Sequence, residues 1–94
     1  MKVHFAPEAV GDLEATVEYI RERDWDAAAR LAERVLDVID KIRDGAFDGP
    51  EMQLKSGERV RSWPVPPLRV YYQRRAGALH VLRIYHQSRR PLTR

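Results

Sequence analysis

The spacing of apolar residues changes near residue 58, and this change restricts the chain to folds that combine helices with a sheet. Before it, apolar side chains recur every three or four residues over 7–23 and again over 28–42, which predicts two amphipathic helices. After it, apolar and polar residues alternate over Arg59–Val65, Leu68–Arg75 and 79–86, which predicts three strands. The helices therefore precede most of the sheet.

Proline, glycine and aspartate set the ends of the predicted helices. Pro7 suits a first helical position, because the N–H group that proline lacks would have no partner there. Either Asp24 or Asp26 can cap the second helix, and Gly45 is a suitable residue to end it. We expect an antiparallel helical hairpin with a short turn near Trp25.

The rest of the chain supplies strands and a loop. Lys2–Phe5 predicts a short first strand, residues 46–58 a loop anchored by apolar side chains, and residues 76–77 (Ala-Gly) a hairpin turn. We predict one domain over 1–94 of the α+β class, in the order β-α-α-β-β-β. An N-terminal strand and the helical hairpin precede a three-stranded antiparallel sheet, and the helices pack on one face of that sheet.

Composition removes several classes of function. The chain has no Cys, which excludes thiol catalysis and cysteine-ligated metals. Its three His residues lack ligand spacing, and no glycine-rich phosphate motif is present, so we expect no metal and no cofactor. No apolar run approaches about 20 residues and no signal-peptide pattern opens the chain, so we expect a cytoplasmic protein without membrane contact.

Charge is divided between the two halves of the chain. Residues 1–50 contain 7 basic and 12 acidic side chains, whereas residues 51–94 contain 10 basic and 2 acidic ones. The net charge of +3 therefore combines −5 in the first half with +8 in the second. A basic second half favours acidic or phosphate-rich partners.

Strand alternation assigns residues to two faces of the predicted sheet. We place Val60, Val70, Tyr72, Leu82 and Ile84 on the face against the helices. The opposite face then carries arginines and aromatic residues, namely Arg59, Arg61, Trp63, Arg69, Tyr71, Gln73, Arg83 and Tyr85. Solvated antiparallel faces often carry such residues, but the density of charge on one side favours a binding surface.

Four segments carry a resemblance to a known family. Residues 6–13 (APEAVGDL) and 26–31 (DAAARL) resemble its two helices, 67–72 (PLRVYY) its central strand, and 81–89 (VLRIYHQSR) its closing strand. In this order and spacing, the chain is similar over nearly its whole length to toxins of the RelE/ParE superfamily. The resemblance implies the toxin of a type II toxin–antitoxin (plasmid stabilisation) module, which inhibits growth and is neutralised by a cognate antitoxin.

One branch of this superfamily, the RelE and YoeB relatives, cuts mRNA on the ribosome. If the chain belongs there, the resemblance implies that Arg69 binds the scissile phosphate and that His86 or Arg89 supplies a second catalytic group. Glu51 matches the carboxylate base of the YoeB branch. Phosphate cleavage of this kind needs cations together with an acid and a base.

The ParE branch instead inhibits DNA gyrase and needs no nuclease centre, and the long helical hairpin resembles this branch more closely. The resemblance implies an antitoxin whose C-terminal segment wraps the toxin, and the basic strands predict that this segment is acidic. The residues expected to bind target or antitoxin are Arg59, Arg61, Trp63, Arg69, Tyr71, Arg83, Tyr85 and Arg90.

A second class of function is a non-catalytic nucleic-acid-binding module. Bases of single-stranded RNA would stack on Tyr71 or Tyr85 beside the strand arginines. The chain has no recognisable RNA-binding signature. Such a module would also leave growth unaffected when expressed alone.

Overall fold

The computed structural model describes residues 1–88. Its elements are β1 (Lys2–Phe5), α1 (Pro7–Arg21), α2 (Trp25–Arg43), β2 (Glu51–Gln53), β3 (Arg59–Val65), β4 (Leu68–Arg75) and β5 (Ala78–His86). The predicted α+β class is confirmed, with the helical hairpin ahead of the main strands. No helix within these 88 residues is long and apolar enough to cross a membrane.

The predicted three-stranded antiparallel sheet is present as β3, β4 and β5, and the predicted first strand β1 and the additional strand β2 extend it to five strands in the order β1-β5-β4-β3-β2. β1 pairs in parallel with β5, and the remaining neighbours are antiparallel. β2 lies inside the segment predicted as a loop, and its three residues are too few for an alternating pattern to be recognised. The two helices connect β1, at one edge of the sheet, to β2 at the opposite edge, and the later strand β5 lies beside β1.

The helix ends follow their local chemistry. Pro7 begins α1, and the Asp24 carboxylate accepts a hydrogen bond from the Ala27 N–H at 3.0 Å, so Asp24 rather than Asp26 caps α2. α1 ends at Arg21, two residues before the predicted end, because the extended backbone of Asp24 must precede the next helix. Gly45 has φ of +81° directly after α2, as a helix-ending glycine should.

The main core lies between the helices and one face of the sheet. Both helices and four strands contribute to it, and its largest fully buried side chains include Tyr72, Ile39, Ile42, Leu68, Leu79 and Ile84. The β4–β5 hairpin closes through Ala76 and Gly77, with φ of +51° and +70°. Positive φ at both turn residues matches the twist of a two-residue hairpin. The predicted turn is therefore confirmed.

The predicted face of β3 is wrong. Trp63 and Val65 pack with the helix-side core, and strand alternation then places Arg59 and Arg61 on that side too. Val60 consequently lies on the opposite face. The sequence-based assignment put Val60 on the side facing the helices. The larger apolar area of Trp63 and Val65 instead decides which side of β3 faces the helices.

Leu82 also lies opposite to its predicted face, because the ladder between β4 and β5 is irregular. Tyr71 pairs with Arg83 and Tyr72 pairs with Val81, so Leu82 is the extra residue of a bulge. The bulge turns Leu82 away from the helices, where it packs with Val60 and Tyr71. Val70, Tyr72 and Ile84 are on the predicted face.

A candidate interaction surface around Arg69

The sheet face turned away from the helices, here called the open face, has its own small apolar cluster. The buried members are Leu54, Val60, Tyr71 and Leu82, and Met52 and Tyr85 pack against them half-buried. Leu54 follows β2, so the β2–β3 connection partly covers this face. The predicted uncovered basic surface is therefore much smaller than alternation alone indicates.

Arg69 lies at the margin of this cluster on β4. Its Nη1 donates to the Ser62 hydroxyl at 2.8 Å, and Ser62 is 5% exposed. Tyr85 is its register partner on β5, and the Tyr85 ring contacts Tyr71 edge-on with centroids 5.8 Å apart. The buried Ser62 hydroxyl thus holds a half-buried guanidinium on the open face, on the strand next to Tyr85.

Arg69 differs from the other half-buried arginines of residues 1–88 in lacking a carboxylate partner within 4.0 Å. The others, Arg21, Arg43, Arg61 and Arg83, each form an ion pair. A partly desolvated cation without a counter-ion gains most from an external anion, because charge-assisted hydrogen bonds strengthen as water is excluded. The arrangement therefore suits a carboxylate or phosphate group of a partner.

Arg83, expected to bind a partner, is instead bound within the chain. Its Nε and Nη2 donate to both oxygens of Asp12 on α1, at 2.9 and 2.8 Å. The N–H of Ile84 donates to the same carboxylate at 3.0 Å. The hydrogen bond and the charge of Asp12 raise the pKa of Arg83 above its ordinary value. Arg83 therefore fastens α1 to β5.

Arg59 and Arg61 are also engaged by carboxylates. Arg59 Nη1 donates to Glu51 at 2.8 Å, and Arg61 lies 3.6 Å from both Glu51 and Asp48. Arg61 also donates to the Gly49 carbonyl oxygen at 2.8 Å. These contacts attach the segment that follows α2 to the sheet, on the helix side.

Asp48 organises a second polar cluster on that side. It accepts hydrogen bonds from the Tyr72 hydroxyl at 2.5 Å and from Arg74 Nη1 at 2.8 and 2.9 Å. The Gly49 N–H donates to the Tyr72 oxygen at 2.8 Å, and Arg74 Nη2 donates to the Ile42 carbonyl oxygen at 2.6 Å. This cluster thus attaches β4 to the end of α2 and to the loop that follows it.

Two pKa values reflect this packing. Burial, followed by the hydrogen bond to Asp48, raises the pKa of Tyr72 to about 12. Burial acts to raise the pKa of Asp48 as well, but the hydrogen bonds from Tyr72 and Arg74 outweigh it and leave this pKa below its ordinary value. A neutral tyrosine and an ionised aspartate are therefore the stable forms at neutral pH.

The two aromatic residues predicted to bind partners have separate environments. Trp63 stacks on Phe47 on the helix side, with ring centroids 4.3 Å apart, so its ring serves packing. Tyr71 is 4% exposed within the open-face cluster. Tyr85 is half-buried and is the aromatic residue that the open face presents beside Arg69.

The residues considered for phosphate cleavage do not converge. Arg69 lies on the open face, whereas His86 pairs in register with Leu68, which belongs to the helix-side core. Glu51 pairs with Arg61 on the helix side and is held in ion pairs there. Arg89, a further catalytic candidate, and Arg90, expected to bind a partner, lie outside the described residues.

The carboxylates that neutralise the strand arginines were not predicted. Asp12 lies 71 residues from Arg83 in the chain, and Asp48 lies 26 residues from Arg74. The excess of acid in the first half was the available signal, because an acidic helical hairpin packed on a basic sheet brings opposite charges together. Within residues 1–88, no group of three His or acidic residues is arranged to hold a metal.

Comparison with known proteins agrees with this architecture. A structure described as the chromosomal ParDE TA system from P. aeruginosa is similar, with 15% identity and a TM-score of 0.76 over 92% of this chain and 95% of that chain. At that identity the likeness shows a shared fold. No curated protein matches the sequence at a significant level. The model of the ParE toxin of type II toxin–antitoxin systems (parDE) matches residues 3–91, and the chain therefore belongs to the ParE toxin family.

Proposed function

We propose that this toxin inhibits DNA gyrase in the cytoplasm, and that a cognate antitoxin neutralises it by binding the open face around Arg69. The observation that carries the second statement is the half-buried Arg69 guanidinium, which has the Ser62 hydroxyl but no carboxylate partner in residues 1–88. The similar structure is a ParDE pair, which supports the presence of an antitoxin. Growth arrest and plasmid stabilisation would follow from such a pair.

The antitoxin segment should be acidic and extended. A carboxylate that replaces water on Arg69 forms a charge-assisted hydrogen bond, and the neighbouring Tyr85 ring offers apolar area. An extended segment gains a large contact area relative to its length, which offsets the entropy of its ordering. Attraction between opposite charges then makes association fast and sensitive to salt.

Gyrase is favoured over mRNA as the target because the nuclease candidates lie apart. Cleavage of a phosphodiester requires an acid or base within hydrogen-bond reach of the reacting oxygen while a cation contacts the phosphate. Arg69 is on one face of the sheet, and His86 and Glu51 are on the other. Inhibition of gyrase needs a binding surface and no such centre.

The target is tested by inducing the chain alone and measuring DNA damage and protein synthesis over time. We expect DNA damage before translation falls, and inhibition of supercoiling by purified gyrase. The purified chain together with ribosomes and mRNA provides the opposing assay. Ribosome-dependent cleavage that is lost in His86→Gln would contradict the gyrase proposal. Growth without arrest, together with RNA binding, would favour the nucleic-acid-binding module.

The antitoxin site is tested with Arg69→Ala and a matched control, Arg59→Ala, which removes an exposed arginine already paired with Glu51 on the other side. We expect Arg69→Ala to weaken antitoxin binding by roughly 30-fold or more, as loss of a central charged contact does, and Arg59→Ala to change it little. Equal effects of the two variants, or an association rate that hardly depends on salt, would contradict the proposed site.

A further inference from the structure

The turn of the helical hairpin presents two large aromatic side chains to solvent. Trp25, the first residue of α2, is 72% exposed, and Tyr19 in the last part of α1 is 60% exposed. Neither ring belongs to the described apolar clusters. Tryptophan and tyrosine are the residues most enriched among those that dominate the energy of protein interfaces.

Both rings are held in place by arginines of the same turn. The Arg23 guanidinium carbon lies 4.1 Å from the Tyr19 ring centroid, and its Nη1 donates to the Tyr19 carbonyl oxygen at 3.1 Å. The Arg21 guanidinium carbon lies 5.2 Å from the Trp25 ring centroid, and Arg21 also pairs with Glu18. Side chains that are already ordered lose less entropy when a partner binds.

The charge around these rings is acidic, in contrast to the sheet. Residues 14–26, here called the apex, contain five carboxylates and the two arginines, for a net charge of −3. A surface of this sign repels nucleic acid, and it also repels the acidic segment expected on the open face. The charge therefore favours a protein partner whose surface is basic.

A groove beside Tyr19 adds room for a partner side chain. It has a volume of about 490 Å³ and lies between α1 and the end of the β4–β5 pair, lined by Ala15, Thr16, Tyr19, Ile20, Pro67 and His86. Small and apolar side chains form most of its wall. An apolar side chain from a partner fits this lining, of which the exposed Tyr19 ring is a part.

We infer that the apex docks onto a basic protein surface, with Trp25 and Tyr19 as the main contacts and the groove receiving an apolar side chain. The identification of that surface as part of the toxin's target rests on the proposed function, in which the target is gyrase. A basic surface of this kind is what an enzyme uses to bind DNA. Docking there would place the apex in competition with DNA.

The test compares four variants of the full chain with the wild type, three that change apolar side chains and the charge reversal Glu22→Lys. Tyr19→Ala combined with Trp25→Ala removes both rings, and Trp25→Phe with Tyr19 intact retains an aromatic pair. Leu36→Ala, which removes an apolar residue of α2 that is 47% exposed, is the matched control. Thermal melting checks that each variant folds, and binding to purified gyrase and inhibition of supercoiling are measured.

We expect the double variant to bind and inhibit gyrase roughly 30-fold less well, with antitoxin binding and melting unchanged. Trp25→Phe should retain most activity, and Leu36→Ala should behave as wild type. Charge reversal by Glu22→Lys should slow association, with the largest effect at low salt. Increasing concentrations of linear DNA should reduce binding of the wild-type chain.

Three results overturn the inference while leaving the proposed function intact. In the first, the double variant inhibits gyrase fully. In the second, it loses antitoxin binding while gyrase binding is retained. In the third, only its self-association changes. If the wild-type chain arrests growth without inhibiting gyrase, the gyrase proposal fails. The contribution of the apex is then measured by growth arrest instead of gyrase inhibition. Arrest by the wild type but not by the double variant then supports the apex, and equal arrest overturns it.

Discussion

Arg69 on β4 and Arg83 on β5 both neighbour Tyr85 in the sheet, yet their side-chain partners differ. Arg69 is the register partner of Tyr85, and the Arg83 guanidinium lies 4.4 Å from the Tyr85 ring centroid. Asp12 binds Arg83 through both of its oxygens, whereas Arg69 has only the Ser62 hydroxyl. An arginine saturated by a carboxylate of its own chain stabilises the fold, and one without such a partner can bind another molecule.

The same distinction applies to the rest of the basic half of the chain. Arg59, Arg61 and Arg74 are neutralised by Asp48 and Glu51. The charge of +8 in the second half therefore exaggerates the potential that a partner meets, because the fold brings much of the acid of the first half against it. The predictions below test this division between structural and available arginines, beginning with the largest expected effect.

The largest effect should come from Asp12→Ala. Asp12 is 13% exposed and accepts three hydrogen bonds, so its removal leaves the Arg83 charge and the Ile84 N–H without their partner. Breaking a largely buried ion pair costs about 3 kcal/mol or more. We expect a loss of about 3 kcal/mol in the free energy of unfolding, measured by urea denaturation.

Arg69→Ala is the comparison for that experiment. Because Arg69 has one neutral hydrogen-bond partner and no carboxylate, its removal should change the free energy of unfolding by no more than about 1 kcal/mol. If Arg69→Ala destabilises the protein as much as Asp12→Ala does, the difference drawn between the two arginines does not hold.

The elements could be predicted from sequence, but the pairing of charges could not. Helix spacing, Pro7 and Gly45 depend on residues within a few positions of each other, and these local signals placed α1 and α2 correctly to within two residues. The face of Val60 and the bulge at Leu82 depend on how neighbouring strands pair. That information is not contained in the alternation of a single strand.

The candidate site was also predicted only in part, because some of its features depend on one strand and others on contacts between distant segments. Arg69 was expected on the open face, and it lies there because β4 has a clear apolar side formed by Leu68, Val70 and Tyr72. The acidic first half indicated that strand arginines could be neutralised, but it did not identify Asp12 as the partner of Arg83, since the two residues meet only after α1 packs against β5. A list of strand arginines therefore overestimates the available binding surface.

The second prediction concerns alkaline pH and Tyr72. Its pKa is about 12 in the folded protein and about 10 in an unfolded chain, so the folded state favours the neutral hydroxyl. The resulting stabilisation is complete below pH 10 and is lost as pH rises from 10 through 12. By linkage it amounts to roughly 3 kcal/mol.

Tyr72→Phe is the control for this pH dependence, because it removes the titrating group and little else. At pH 8 it should cost about 1–2 kcal/mol, since the Gly49 N–H and Asp48 each lose a hydrogen bond. The difference in the free energy of unfolding between wild type and variant should shrink between pH 10 and 12. A constant difference across that range would contradict the proposed role of the hydroxyl.

A smaller effect is expected at the turn between the helices. Asp24→Ala removes the side chain that accepts the Ala27 N–H, and loss of such a cap costs about 1 kcal/mol. Asp26→Ala lies inside the first turn of α2 and should cost less than half as much, through weaker interaction with the helix dipole. Urea denaturation of both variants measures the difference, and equal losses would mean that the cap is shared.

The smallest effect should be that of Arg59→Ala. The Arg59 side chain is 68% exposed, and its 2.8 Å contact with Glu51 is an ion pair in water, where side-chain entropy and screening cancel most of the attraction. We expect a change of about 0.5 kcal/mol or less in the free energy of unfolding, diminishing further in 0.5 M salt.

Arg61→Ala, which also removes a hydrogen bond to the Gly49 carbonyl oxygen, should cost about 1 kcal/mol and depend less on salt. If Arg59→Ala proves as costly as Arg61→Ala, then exposed pairs contribute to the fold as half-buried ones do. Pairing with a carboxylate would then no longer separate arginines that stabilise the protein from those that are free to bind.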